Sequence, residues 1–515
     1  MLALGLAGCG GESTSGGPTL VMAEVKDATI LDPSHATDGI SLNLTAEVLE
    51  NLVRFKAGTF DIEPALATRW HTSADKRTWK FTLRRGVRFS DGTPFDARAV
   101  TFNVNRWRLK NDPARGNYNY VYYASQFGGY PGVIQDVRAD GDDRVVFRLT
   151  HPVGPFLRNL AMPSFGIGSP AAIRADTNAF EQRPVGTGPY TVAEWMHDDH
   201  ITLSRNASWY GPVPAYKTVV VRDIPDQATS VLSMQKGDVD MLEQPRPDDA
   251  KALAARSGIG IVEQPSNNLA YLAMNFEKKP FADVRVRRAI AYAVDIGAIV
   301  QALYGPGTVA AGGWLPPGML GDDPALHPYA RDPVRARALL RDAGFPHGFA
   351  TSLSYPTAPR PYMPEPQRLA ETLQADLRDI GITVTLQPFE FGVFLQKVQN
   401  GEHEMCLIGW SGDNGDPDNF LYPLLDADSA FKPNAQNYSF WRDPQFHRLM
   451  IAGQTETDDA KRRPIYREAA RMVHDLVPAL ALVHTAVPVG LRSSVAGFVP
   501  SPDTEYHFEL MKPRR

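Results

Sequence analysis

Cysteine is nearly absent from this chain: its 515 residues include only Cys9 and Cys406. So few thiols exclude a disulfide framework, and stability has to come from buried apolar surface. No run of about 18 apolar residues occurs, which excludes a bilayer-spanning helix. An excess of charge of one sign is also missing, since 53 basic and 58 acidic residues leave a formal charge of -5. Such a balance builds no strong basic field, so nucleic acid is not an expected partner. Internal repeats are lacking too.

Catalytic motifs fail one by one. Ser73-Ala-Asp-Lys76 and Ser233-Met-Gln-Lys236 fit Ser-x-x-Lys, but Lys217-Thr218 is followed by Val219, so the Lys-Thr-Gly partner of a penicillin-binding site is missing. His403-Glu404 opens a zinc-protease pattern in which Leu407 takes the place of the second histidine. No Gly-x-Ser-x-Gly elbow and no phosphate-binding loop is found.

What is present suits a large soluble body. At roughly 150 residues per domain, the length implies about three domains. The content of 43% hydrophobic and 22% charged residues is that of an ordinary globular protein. Near the start, Leu6-Ala7-Gly8-Cys9 is followed by the polar run Gly10 to Gly17. This resembles a bacterial lipobox with a linker, which would make Cys9 the lipidated first residue of a periplasmic or cell-surface protein held at a membrane. The apolar stretch before Cys9 is short and has no basic residue, so the expectation is a precursor that starts further upstream. Residues 1–19 are read as leader remnant and linker. Cys406 lies in the apolar run Met405-Cys406-Leu407-Ile408 and is expected to pack in a core.

Periodicity predicts a mixed α/β chain. Alternation over Thr78 to Leu83 and Val145 to Leu149, and the β-branched run Val219 to Val221, read as strands. Asp91-Gly92 marks a turn, and Asp96 caps a helix with Val100, Val104 and Trp107 on one face. Beyond about residue 280, helices alternate with single strands. Asp332-Pro333 starts one helix that stops at Gly344, and Pro366 to Ile380 spaces Leu369, Leu373, Leu377 and Ile380 helically before Gly381. Ile382 to Leu386 follows as a strand, then a helix from Phe391 to Asn400 and a strand from Met405 to Trp410. In such an α/β lobe, ligands collect at the carboxyl ends of strands. Gly409 to Asn419, GWSGDNGDPDN, lies at one such end.

Asp413 comes directly after that strand and the Ser411-Gly412 pair, where a side chain can be aimed into a crevice. Asp416 and Asp418 read as solvated turn residues that cap backbone N–H groups. Their spacing fails the calcium-loop pattern, so neither a metal nor a cofactor is expected here. Arg360, between Pro359 and Pro361, leaves an extended loop as a planar cation able to take a carboxylate through two parallel hydrogen bonds. A hydrolase with Asp413 and Asp416 as acid and base is the rival reading.

Four segments carry a family resemblance: Leu66 to Val100, Val185 to Tyr190 (VGTGPY), Met274 to Asp295, and Trp441 to His484. On these the chain resembles the bacterial extracellular solute-binding proteins of family 5, which serve peptide ABC importers. APRPYMPE and GEHEMCLIGWSGDNGDPDNF are similar to the dipeptide-binding branch. The resemblance implies a two-lobed periplasmic-binding-protein fold of type II, in its large three-domain variant with a hinge. It divides the chain into a first domain of 20–42, 185–270 and 480–515, an accessory domain of 43–184, and a second lobe of 271–479. It assigns Arg360 to the peptide carboxylate and Asp413 to the amino group, with Tyr362, Trp410, Ser411 and Gly412 as neighbouring contacts. The implied partners are a short peptide and a membrane permease with its ATPase, served by a monomer without catalysis. A dipeptide extends over about 7 Å, so a fixed anion and a fixed cation would act as a ruler. Relatives of this architecture also take glutathione, haem, metal chelates or antimicrobial peptides, which remain alternative ligands.

Overall fold

The computed structural model describes residues 17–116 and 118–514; Cys9 and most of the expected leader and linker lie outside them. Three sheets organise the chain. The first has seven strands, in the order Ile259–Pro265, Ala486–Arg492, Met241–Glu243, Thr19–Glu24, Thr218–Asp223, His200–Arg205 and Tyr190–Met196. Thr19–Glu24 runs parallel to both of its neighbours, so the sheet is mixed. The second has six strands, in the order Val309–Ala310, Ala479–His484, Asn268–Met274, Met405–Ser411, Ala350–Pro356 and Thr383–Phe389. A separate antiparallel sheet of Ala67–Thr72, Thr78–Leu83, Arg144–Leu149 and Ile134–Ala139 carries its own aromatic core, which includes Trp79, Phe81 and Phe147.

Local chemistry accounts for the helices that the sequence predicts. Asp96 accepts hydrogen bonds from the N–H groups of Arg98 and Ala99 and starts Ala97–Arg108, with Val100, Val104 and Trp107 buried. Asp332 caps Pro333–Asp342 through the Arg335 N–H. The helix Pro366–Arg378 turns Leu369, Leu373 and Leu377 into the core of the second lobe. Gly381 follows with φ 90°, a left-handed conformation that a residue with a side chain adopts only at a cost. The strand Met405–Ser411 is buried from Met405 to Gly409, and Cys406 is in its core with a thiol that burial pushes up.

The two lobes are joined where strands cross from one large sheet to the other. Ile259–Pro265 of the first continues through Ser266 and Asn267 into Asn268–Met274 of the second, and Ala479–His484 returns through Thr485 into Ala486–Arg492. These crossings are laced together: Asn268 Nδ2 donates to Thr485 Oγ1 at 2.6 Å, and the Thr485 N–H donates to Asn268 Oδ1 at 2.9 Å. Few residues therefore carry the connection, and they are tied as one unit.

Leu373 is 0% exposed. Leu373→Ala should lower stability by about 2–5 kcal/mol, read as a shift in the denaturant midpoint. Leu232→Ala, at an exposed position, should stay within about 0.5 kcal/mol.

Candidate functional site

Ser411 and Gly412 end the strand Met405–Ser411 and bring its last turn against the crossing point. The Gly412 N–H donates to the Asn267 carbonyl at 2.6 Å. A Cβ on Gly412 would run into the Phe420 ring and the Asn267 amide, so only glycine allows this approach.

Two adjoining cavities open along the cleft. One, of about 420 Å³, is lined from the first lobe by Glu24, Lys26 and Asn43, from the crossing by Asn267, and from the second lobe by Ser411 and Gly412. The other, of about 400 Å³, is lined by Arg360, Tyr304, Glu263 and Arg246. Gln244, Pro361 and Val487 border both. Either volume suits a small organic ligand.

Arg360 is aimed by its own loop. Its N–H donates to the Met363 carbonyl at 2.9 Å and its carbonyl accepts from Met363 at 2.8 Å, a closed pair that fixes the backbone. The guanidinium lies over the Phe391 ring, 3.3 Å from the ring centre. Its Nε is buried without a hydrogen-bond partner, and Arg360 forms no ion pair among the described residues. A cation held by an aromatic face, with donors left over, is prepared for an anion.

Asp413 is half-buried two residues beyond the strand. Asn419 aims it: Asn419 Nδ2 donates to Asp413 Oδ2 at 3.1 Å, while Asn419 Oδ1 accepts from the Asp413 N–H and from Trp410 Nε1, each at 3.0 Å. Burial pushes Asp413 up to about 6, and the Asn419 bond offsets only part of that rise. At neutral pH it is therefore a carboxylate, and it forms no ion pair among the described residues. Burial, and then the charges of Asp413 and Asp38, push the Tyr122 phenol up. Asp38 caps the helix Gly39–Ala46 through the Ser41 N–H.

Of the expected contacts, Arg360, Ser411 and Gly412 line the cleft cavities. Asp413 stands beyond them and lines neither. Trp410 is half-buried and spent on Asn419. Tyr362 is 7% exposed and packs on Gly409, beneath the strand and away from both cavities. Tyr122 and Asp38 were not legible as site residues, because both lie far from Asp413 in sequence and carry no motif.

Asp416 departs from the expected solvated turn. It is 0% exposed and pairs with the equally buried Arg462 through two bonds of 2.7 and 2.8 Å. It does cap the Asp418 N–H, at 3.0 Å, but desolvation makes it a structural anchor. Burial opposes its charge, yet Arg462 outweighs this and holds it below the usual carboxylate range. Asp418 is half-buried and is pushed to about 7 by burial and then by Asp416. Two residues before Asp416, Asn414 Nδ2 donates to Asn159 Oδ1 at 2.7 Å and to Gln126 Oε1 at 3.1 Å, which docks the loop on helices beside the four-stranded sheet.

The profile of the bacterial extracellular solute-binding proteins, family 5, matches residues 61–432. The chain is 34% identical to the dipeptide-binding protein of Escherichia coli strain K12, over 95% of this chain and 94% of that one. It is 32% identical to heme-binding protein A of Haemophilus influenzae, over 95% and 91%. Among solved structures, the ABC transporter-associated periplasmic binding protein DppA of Helicobacter pylori, in complex with the peptide STSA, matches with a TM-score of 0.78 and 30% identity, over 97% and 98%.

Arg462→Met would strip buried Asp416 of both its guanidinium hydrogen bonds and leave only Arg158, at 3.9 Å, as a cation. Stability should fall by about 3–5 kcal/mol, measured as a loss in denaturant midpoint, even though the new side chain is itself apolar.

Proposed function

The chain belongs to the bacterial extracellular solute-binding proteins of family 5, and from that premise we propose that it captures short peptides in the cleft by their charged termini and presents them to a membrane permease. It is the substrate-binding component of a peptide ABC importer, and its role in that family is binding, without catalysis. The observation that carries the peptide reading is a pair of unmatched charges on one lobe: Asp413, an aimed carboxylate with no cation, and Arg360, a guanidinium with no anion. An amino terminus answers the first and a terminal carboxylate the second.

In this reading, Ser411 and Gly412 offer hydrogen-bonding backbone beside the ligand, Trp410 holds Asn419 in place, and Tyr362 supports the strand from beneath. The first domain is formed by 20–42, 185–270 and 480–515, the accessory domain by 43–184 and the second lobe by 271–479. Hinging about Ser266–Asn268 and Thr485 would part and rejoin the lobes, and a ligand touching both sides shifts the population to the closed state. Export to the periplasm or cell surface with anchoring through Cys9 belongs to the same proposal.

Calorimetry with a dipeptide, its N-acetyl form and its C-terminal amide tests this. Each blocked terminus should weaken binding by about 1.5–3 kcal/mol, roughly 10- to 100-fold. Asp413→Asn should erase the penalty for acetylation, and Arg360→Ala the penalty for amidation. Unchanged affinity of the acetylated peptide would reject the role of Asp413, and cleaved peptide after saturation would reject binding as the function. The similar identities to a dipeptide-binding and a heme-binding relative favour one further titration, with haemin; tighter binding of haemin than of any peptide would replace the peptide reading.

The raised Asp413 sets a pH dependence. The group is ionised above about 6 and neutral below it, and only the ionised form attracts an ammonium. Affinity for a free-amine peptide should therefore fall by up to about tenfold per pH unit as the pH drops below about 6, and level off above it. The acetylated peptide should show no such slope.

A further inference from the structure

The C-terminal segment brings a second set of donor groups together, away from Arg360 and Asp413. Asp503, Glu505 and His507 occur in the pattern Asp-x-Glu-x-His, and one ligand atom from each lies within 4.8 Å of the others. Two further facts separate this trio from an ordinary acidic cluster. His507 is 8% exposed and its Nε2 is buried without a hydrogen-bond partner, 4.0 Å from Glu505 Oε2. Asp503 Oδ2 is likewise buried and unpartnered, while Oδ1 of the same carboxyl is used by the Glu505 N–H at 3.2 Å. The imidazole and the Asp503 carboxyl thus lie close together, and each keeps one buried atom without a hydrogen-bond partner among the described residues. Leaving such groups unmatched is costly in a native interior.

The surroundings fit a cation. Glu505 and His507 line a small cavity of about 50 Å³ whose other walls include Glu47, Glu50 and Glu509. The basic side chain on that wall, Arg54, is engaged with Glu63 at 2.7 Å. Glu47 Oε2 is also buried and unpartnered, and burial followed by the charge of Glu509 holds Glu47 well above the usual carboxylate range. On the far side of the ring, His507 Nδ1 faces Glu509 Oε1 at 3.6 Å. A carboxylate behind one imidazole nitrogen, with the other nitrogen aimed at a ligand, is the arrangement that orients a metal-binding histidine.

We propose that Asp503, Glu505 and His507 bind a divalent transition-metal ion of the zinc or manganese class. One imidazole and two carboxylates are a donor set that both ions accept, and the adjoining space leaves room for a water as a fourth ligand. Binding requires a neutral imidazole and ionised carboxylates, so it releases any protons these groups hold. The position gives the ion a structural consequence. Asp503, Thr504 and Tyr506 also border the larger of the two cleft cavities, and Tyr506 Oη lies within hydrogen-bond reach of Glu24 and Glu243 from the first sheet, its one proton going to either. The ion would therefore pin the segment that forms part of the cleft wall.

The test uses the whole protein, dialysed against EDTA and then titrated with zinc(II) and with manganese(II) by calorimetry, with bound metal counted by mass spectrometry. One equivalent is expected for at least one of the two ions. His507→Gln and Asp503→Asn should each weaken its binding by about 100-fold or more, since even partners behind the ligands are worth 10- to 100-fold. His447→Gln should leave binding unchanged; it removes the histidine from the other carboxylate and histidine cluster, Asp426, Asp428 and His447. Failure to bind either ion, binding that survives His507→Gln, or binding lost in His447→Gln would overturn the proposal. If the variants do not fold, the unaltered protein still decides: bound cobalt(II) should give a visible ligand-field band displaced by zinc(II), and its absence would reject the site.

Discussion

The buried ion pair between Asp416 and Arg462 is the constraint on which the binding wall rests. Removing two charges from water costs several kcal/mol for each ion, and only near-ideal geometry offsets it. Here both carboxylate oxygens are used by Arg462, and its Nε donates to the Gly453 carbonyl at 2.9 Å. The loop after Met405–Ser411 consequently has one low-energy position. Asn414, two residues before Asp416, can then reach Gln126 and Asn159, and Asn419, three residues after it, can hold Asp413 and Trp410. In the proposed reading, the charge of Asp413 is positioned before a ligand arrives, which would cut the ordering cost of binding.

That loop also touches the connection between lobes. Gly412 is hydrogen bonded to Asn267, whose neighbour Asn268 is laced to Thr485 on the second crossing. Thus the wall carrying Asp413 and the joint about which the lobes would close share a short chain of polar contacts. In the proposed reading, binding and closure would be coupled through neighbouring bonds, with no long relay required.

Two carboxylates three residues apart behave oppositely, and the cause is their surroundings. Asp416 has a guanidinium in contact and is held ionised, whereas burial pushes Asp413 toward neutrality and its Asn419 amide bond offsets only part of that. The first stabilises the fold. The second holds an unmet electrostatic demand, which is what a binding group for an ammonium needs.

Much of the framework was legible because it is written locally. Leucines at helical spacing before Gly381, the caps at Asp96 and Asp332, and the apolar run at Met405 each depend on residues within a few positions, so the sequence alone determined those elements and the placing of Gly409 to Asn419 at a strand end. The motifs of family 5 likewise pointed to a two-lobed binding protein. The roles of individual charges were decided only by the tertiary structure. Arg462 lies 46 residues from Asp416, Tyr122 lies in a different sheet's domain from Asp413, and Asp503 to Glu509 meets Glu47 from the other end of the chain. Whether a carboxylate is solvated, paired or left waiting depends on which distant segments exclude water from it, and a linear pattern of residue types does not carry that information.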